Sequence, residues 1–548
     1  MDLSFVQKDR AAGSLLAMAC GDALGAGYEF RLRRPFTMPV EMVGGNFGFS
    51  PGEWTDDTSM AIVIAEVAAR GADLRTEESL DAICEGWRVW RQTAKDVGIQ
   101  TQSVINRGGS PGTAAGYREA AVYLHRETGR TAGNGSLMRT APVALAYLHD
   151  RQAMAEAATL ISNLTHFDPV AAEACVLWCE AIRLSVLSGE IVSPTAGLDL
   201  LKPESQSFWI EIIAAAEAKQ PHTFPNNGWV VSAFQAAWSA IVHADVPEDH
   251  PALGMHQAQH LQIALDRAVR VDNDTDTVAA IAGSLLGAIW GASAIPSEWL
   301  TKIHGYPDYS AKDLTRLAIL IVQKGEPQPG GWPASETTNY HQSAAPAVEL
   351  LPNLYVGGQT ALATADDFDA VVSLSRVGLT EGGKAPTNHL RVSVLDSHAA
   401  DMNPNLAFQF QDVADFIDSR IQQNQKVLLH CVHAHTRTPS FAVGYLMRTK
   451  SMTYVEAVAK VREVLPLADL HAPFDSVLKS LEGIHPRAEE IGQLWWDETA
   501  AQLWLETTQG WFQRSGSAWQ SVAQPEVSLA PAAPHQIAEF DEVEVTKS

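Results

Sequence analysis

The sequence predicts a multidomain chain in which an all-α domain is followed by an α/β domain. Three observations carry that expectation. Up to residue 325 the apolar segments are long and helical in type, a Pro- and Gly-rich break follows, and beyond it short apolar runs alternate with helical stretches. At 548 residues the chain exceeds one ordinary domain. The predicted organisation is a helical domain over 1–325, a linker over 326–348, an α/β domain over 349–485 and a Trp-rich segment with an acidic, disordered tail over 486–548.

The first helical segment, 12–25, is rich in Ala, Gly and Leu, ends in a Gly-rich turn and reaches Glu29. The next chemical feature is Thr55-Asp56-Asp57, followed by the apolar run 59–65. More than two hundred residues later, Asp274-Thr275-Asp276-Thr277 precedes a helix expected over 278–291, with Ala279, Ala280, Ala282, Gly283, Gly287, Ala288 and Gly291. Such small residues let helix backbones approach closely and hold two distant loops in register. Hard divalent cations need clustered carboxylate and hydroxyl oxygens; these two motifs supply four Asp and three Thr, of which four Asp and two Thr suffice for two metals. Helix capping accounts for one short oxygen side chain at each helix start. It does not account for Asp56 beside Asp57, whose repulsion calls for a cation.

With these residues in hand a resemblance can be stated. The segment from Gly21-Asp22-Ala23-Leu24-Gly25 to Glu29, then Trp54-Thr55-Asp56-Asp57-Thr58, Gly133-Asn134-Gly135-Ser136-Leu137-Met138-Arg139, Thr165-His166 with Pro169, and Asp274-Thr275-Asp276-Thr277 resemble, in order, the ADP-ribosylglycohydrolases. The resemblance covers about residues 10–325 and implies an all-α domain with two Mg2+ ions, Mn2+ being an alternative. It implies cleavage of the glycosidic bond between ADP-ribose and an acceptor on a protein or small molecule. On this likeness Thr55, Asp56, Asp57, Asp274, Asp276 and Thr277 are metal ligands. Glu29 lies near the scissile bond, Asn134, Gly135 and Ser136 hold the diphosphate, and His166 lies close to the ligand. The residues alone leave other readings open: Gly-Asn-Gly is also an ordinary turn, His166 can pack in a core, and Glu29 can be merely solvated.

The implied chemistry is hydrolysis through an oxocarbenium-like transition state, with Glu29, Asp56 or Asp57 handling the proton. The acceptor, whether arginine, serine or a small molecule, is not readable from the sequence.

A composition break at Gly325-Glu326-Pro327-Gln328-Pro329-Gly330-Gly331 marks the linker. Beyond it, 370–374 and 426–429 read as strands, with a helix over about 404–423 between them. The second strand leads into His430-Cys431-Val432-His433-Ala434-His435-Thr436-Arg437 and a helix over 439–450. Strand, loop and helix in that order form a phosphate cradle. The Cys-x5-Arg spacing, the Leu350–Gly357 entry and the Ala414–Asp418 helix resemble the cysteine-dependent phosphatases, the dual-specificity type above all, over about 349–485. In the implied mechanism Cys431 is a thiolate nucleophile favoured by the helix end and loop N–H groups, Arg437 grips the phosphoryl oxygens, and Asp396, with Asp401 as second candidate, is the general acid on a phosphorylated substrate. The family usually has Gly three residues after the Cys, and this chain has Ala434. A positive φ there costs about 1 kcal/mol. An inactive phosphate-binding module, or a zinc site of His430, Cys431, His433 and His435, are the alternatives at this motif, and an ADP-ribose-binding module without turnover is the alternative at the first.

Five cysteines with no Cys-x-x-Cys form no disulfide framework, so a reducing, cytoplasmic setting is expected. No stretch is long enough to span a bilayer, so no membrane partner is expected. The formal charge of −25 argues against nucleic-acid binding, which needs a cationic surface. Trp495, Trp496, Trp504, Trp511 and Trp519 are expected in helix or irregular packing, and the Pro- and acid-rich tail from Gln524 in disorder.

Overall fold

The structure is a computed structural model that describes residues 3–31, 34–35, 38–326, 345–375 and 388–482, and the backbone of the strands within 491–531. Among the described residues the first domain is helical from Phe5 to Val322, with 3-10 turns, loops and a two-stranded ribbon of His304–Gly305 with Tyr309–Ser310 between the helices. The first helix, Phe5–Gly25, starts seven residues before the predicted segment because Ser4 and Gln7 cap each other's backbone N–H. The Asp56–Ala68 helix starts at the acidic pair itself, so both carboxylates sit in its first turn.

The helices Phe5–Gly25 and Thr275–Trp290 form the axis of this domain. A Cβ at Gly287 would lie 1.9 Å from the Gly13 carbonyl, at Gly283 2.1 Å from that of Ala17, and at Gly21 2.1 Å from that of Ala279. A Cβ at Gly25 would lie 2.4 Å from the Asp276 Cα, so the two helices run antiparallel in one continuous register. That register sets Asp22 beside Asp276 at one end and Asp9 beside Gly291 at the other. Trp178, fully buried, donates its indole N–H to the Ile281 carbonyl and so ties a further helix to the axis.

The second domain is a five-stranded sheet in the order Val348–Leu351, Leu354–Gly357, Val427–His430, Ala370–Ser373, His389–Arg391. The central strand Val427–His430 is parallel to both neighbours and buried throughout, and its C-terminal end delivers Cys431. Helices Leu406–Gln422 and Arg437–Lys450 cover one face, close to the bounds expected from sequence. Residues 327–344 of the predicted linker lie outside the described residues.

Helix Leu406–Gln422 also packs on the first domain. Phe408 is buried within the core of the helical domain, edge to face with His256. Asp412 accepts both the N–H and the hydroxyl of Ser297, Arg420 pairs with Glu298 at 2.7 Å, and Asn405 donates to the Trp290 carbonyl at 2.7 Å. His256 Nε2 donates to Gln411 Oε1 at 2.8 Å.

The Trp-rich segment departs from expectation. It forms antiparallel strands Ile491–Asp497, Gln502–Thr507, Gly510–Ser515 and Ala518–Val522, joined in sequence order, with Ala530–Pro531 on the outer edge of the first. Trp, Phe and Thr suit a pleated sheet, and Gly516-Ser517, between partners Ser515 and Ala518, is a two-residue hairpin signal that a helical reading overlooks. Apart from Ala530–Pro531, the expected tail disorder from Gln524 falls outside the described residues.

Candidate functional sites

The helix axis delivers the first site. Asp22, Asp57 and Asp276 bring carboxylate oxygens within 4.8 Å of one another, and Glu29, Asp274 and Asp276 form a second such group, so Asp276 belongs to both. Thr55 stands between them. Its hydroxyl lies 2.8 Å from Asp22 Oδ1, 3.0 Å from Asp57 Oδ2 and 3.4 Å from Asp276 Oδ2. One hydroxyl proton serves one acceptor; given to Asp22, it leaves the Asp57 and Asp276 Oδ2 atoms with no donor between them among the described residues. Asp57 Oδ1 is buried without a hydrogen-bond partner among the described residues. An orphaned buried carboxylate oxygen in an all-oxygen donor set fits a hard divalent cation.

The electrostatics agree. Burial, then Asp274, Asp96, Asp56 and Asp22 in turn, push the Glu29 carboxyl up to about 8. Burial and then Asp96 raise Asp56 to about 7, and burial raises Asp22 to about 6. Asp57 and Asp276 lie well above the ordinary carboxylate range, through burial and then, respectively, Asp22 and Asp57. So many buried acids are tolerated only protonated or beside a cation.

The other predicted residues are placed unequally. Asn134 Nδ2 donates to Asp274 Oδ2 at 2.7 Å, which joins the Gly133–Ser136 loop to the acidic cluster. Gly135 passes over His166, and a Cβ there would lie 3.0 Å from the ring. The His166 imidazole, buried beneath this loop, shares a 2.7 Å hydrogen bond with Thr165, which accepts from the buried Arg139. Burial and Arg139 drive its pKa far down, so the ring is neutral. The buried Ser136 hydroxyl accepts from Cys175 in the core at 3.6 Å. Thr277 donates its N–H to Asp276 Oδ1 at 3.0 Å, and Asp56 Oδ2 accepts the Gly98 N–H at 3.2 Å.

Two acids were not singled out from the sequence. Asp22, fully buried, accepts N–H and hydroxyl from both Thr55 and Thr58; a lone carboxylate in an otherwise apolar helical run was the available signal. Asp96 had no local signal, and only the fold brings it to Glu29 and Asp56. It lines a cleft of about 360 Å³ with Trp54, Asp56, Trp90, Tyr306 and Asp308.

The second site is the loop 431–436. Cys431 is buried, and the Ala434 N–H donates to its sulfur at 3.3 Å. Ala434 has φ +56°, so the left-handed conformation is kept in spite of the methyl group. Arg437 opens the following helix, donates to the Leu374 carbonyl at 2.7 Å, and sets Nε 3.4 Å from Asp396 Oδ2. On its other side Asp396 Oδ1 lies 3.2 Å from His471 Nδ1, and His471 stacks on His398. Asp401 sits exposed on the turn Ala400–Met402. The zinc alternative fails: His430 Nε2 is bonded to Ser373 inside the sheet, His433 and His435 are exposed, and among the described residues the groups able to hold a metal are the acidic ones.

The fold and sites define a protein of two hydrolase domains, one built on clustered buried acids and one on a cysteine phosphate loop. Sequence models agree, matching ADP-ribosylglycohydrolase over residues 5–329 and the catalytic domain of dual specificity phosphatases over 354–482. The chain belongs to the ADP-ribosylglycohydrolase family and carries a dual-specificity phosphatase domain behind it. It is 30% identical over 303 residues to ADP-ribosylarginine hydrolase Tri1 of Pseudomonas putida, covering 54% of this chain and 74% of that one. It is 28% identical to the ADP-ribosyl-[dinitrogen reductase] glycohydrolase of Rhodospirillum rubrum, over 54% of this chain and 90% of that one. The second domain is 32% identical over 124 residues to dual specificity protein phosphatase 5 of Rattus norvegicus, 21% of this chain and 30% of that relative. No helix among the described residues is long and apolar enough to cross a membrane.

Proposed function

We propose that the first domain is a magnesium-dependent hydrolase that releases ADP-ribose from arginine side chains. The observation that carries this reading is the pair of carboxylate groups sharing Asp276, joined through Asn134 to a Gly-rich loop. Asp22, Asp57, Asp276, Asp274 and Glu29 would hold two Mg2+ ions, with the Thr55 hydroxyl among them. The ions supply Lewis acidity toward ribose hydroxyls and water. The N–H groups of Gly133, Gly135 and Ser136 would bind diphosphate oxygens, that of Asn134 being given to the Gly228 carbonyl, and Glu29 would carry the proton exchanged at the anomeric carbon. Arginine is favoured as the acceptor because the cleft beside the cluster is lined by Asp56, Asp96 and Asp308 with the Tyr306 ring, groups that suit a planar cation. Lys95 lines the same cleft but is paired with Glu53 at 2.6 Å. The relatives named for ADP-ribosylarginine support the same acceptor.

In the second domain Cys431 would attack phosphorus, the leaving oxygen taking a proton from Asp396, and water would then displace the cysteine from the phosphoryl group. Arg437 and the loop N–H groups would hold the phosphoryl oxygens throughout.

The test is mass-spectrometric detection of free ADP-ribose from arginine-linked and serine-linked peptides, with Mg2+ and with EDTA. Metal-dependent release from the arginine peptides alone is the expected result. Release from serine alone overturns the acceptor, and tight binding without release overturns the enzyme.

A further inference from the structure

The register of the helix axis has a second end, remote from the acidic cluster. Asp9 lies in the first helix thirteen residues before Asp22, a separation of about 20 Å along a helix, and it is 6% exposed. One carboxylate oxygen accepts the Ser293 N–H at 3.3 Å and its hydroxyl at 2.7 Å. The other accepts the hydroxyl of Ser393, which belongs to the phosphatase domain. Gly291 makes room for this arrangement: it has φ +87°, and a Cβ there would lie 2.2 Å from Asp9 Oδ2.

Ser393 lies three residues before Asp396, in the segment between strand His389–Arg391 and the turn Ala400–Met402. The same segment is fixed from inside its own domain. Gln409 donates to the Ser393 carbonyl at 2.8 Å, and Asn403 both accepts the Leu395 N–H at 2.8 Å and donates to the Leu395 carbonyl at 2.9 Å. Residue 395 is thus held by the phosphatase domain, while the side chain of residue 393 is held by the hydrolase domain. Asp396, the next residue, stands 3.4 Å from Arg437 Nε and 3.2 Å from His471 Nδ1.

We infer that Asp9 is a positioning residue for the phosphatase reaction: through Ser393 it fixes the loop that carries the general acid Asp396, so that the hydrolase domain completes the phosphatase site. The inference rests on the phosphatase reading above. Asp9 touches neither substrate nor reacting atoms. Its effect is confined to the step that needs Asp396, the protonation of the leaving oxygen, and a displacement of an acid by about 1 Å costs about 10²-fold in rate.

Leaving-group dependence tests this in the full-length protein. Asp9→Asn and Ser393→Ala are assayed against phenyl phosphate, whose leaving oxygen must be protonated, and 2,4-dinitrophenyl phosphate, whose leaving group departs as the anion. The expected result is a fall in kcat of about 10- to 100-fold on phenyl phosphate with less than about 3-fold change on the dinitrophenyl ester, the pattern of Asp396→Asn in weaker form. Ser393→Thr, which keeps the hydroxyl, recovers turnover of phenyl phosphate. An equal fall on both esters, or no fall on either, overturns the inference, since a merely structural contact does not discriminate between leaving groups. If the unaltered protein turns over neither ester, or Cys431→Ser turns them over undiminished, the phosphatase reading itself fails and this inference goes with it.

Discussion

The Asp412 carboxylate of the phosphatase domain accepts both the backbone N–H and the hydroxyl of Ser297 in the hydrolase domain, with no cation paired to it among the described residues. Burial pushes its pKa up to about 7, against the lowering effect of the two Ser297 bonds. In the folded state Asp412 therefore keeps its proton to higher pH than in the unfolded chain. Stability from this group is full below about pH 4 and is lost as pH rises toward about 7. Asp412→Asn, neutral at every pH, should flatten the fall of Tm between about pH 4 and 7. Calorimetry of both proteins with the divalent cation saturating, which limits titration of the acidic cluster, measures the difference; an unchanged slope contradicts it.

The acidic cluster follows the same sign with larger weight. Without metal, Glu29, Asp56, Asp22, Asp57 and Asp276 all retain protons above their unfolded values. The EDTA-treated protein should lose stability as pH rises from about 4 to about 8, and added Mg2+ should restore it. Metal binding must displace these protons, so affinity should weaken as pH falls through the same window. Titration calorimetry in buffers of different ionisation enthalpy counts the protons released.

Asp276→Asn removes the acid common to both carboxylate groups. ADP-ribose release should fall by about 10³-fold or more, because the change weakens both candidate ion positions at once. Turnover of a phosphorylated substrate by the same preparation should be unaffected. Cys431→Ser should give the opposite pattern.

Ala434 bears on the phosphate loop through its φ of +56°. Ala434→Gly relieves about 1 kcal/mol of left-handed strain but adds a similar freedom to the unfolded chain, so Tm and phosphatase rate should barely move. Ala434→Val places a β-branched residue at positive φ and should collapse the phosphatase rate while ADP-ribose release continues. The two assays on one sample decide it.

Gly283 meets the Ala17 carbonyl where its Cβ would be. Gly283→Ala should push the helix axis apart, lower stability by about 1–3 kcal/mol and weaken Mg2+ binding, because Asp22 and Asp276 ride on the two helices being separated. Denaturant unfolding with and without Mg2+ separates these effects.

Much of this architecture was legible in the sequence, because the chemistry sits in short runs. Thr55-Asp56-Asp57 and Asp274–Thr277 flank apolar helices, and Cys431 and Arg437 share one loop, so local spacing was enough. Ala434 was legible as a departure, and its positive φ is the conformation that the departure raised. Asp22 was written in the first helix but hidden there, since its role depends on Gly21 and Gly25 letting Asp276 come close. Asp96 and the Asp9–Ser393 contact were not legible, because they join residues through the tertiary fold alone. The C-terminal strands were misread for another reason: clustered Trp residues were weighed as bulk to be buried, and the hairpin signal between them was not.

The burial of Phe408 in the core of the other domain bears on where this protein can be divided. A cut through residues 327–344 respects the chain and both sequence families, yet it lays bare Phe408, an uncompensated Asp412 and Gln411 on one piece and the opposing pocket around His256 on the other. Each fragment would emerge with a fresh adhesive face, so separately expressed halves should clump or seek each other out in solution, and activities measured on either half alone would describe a damaged object.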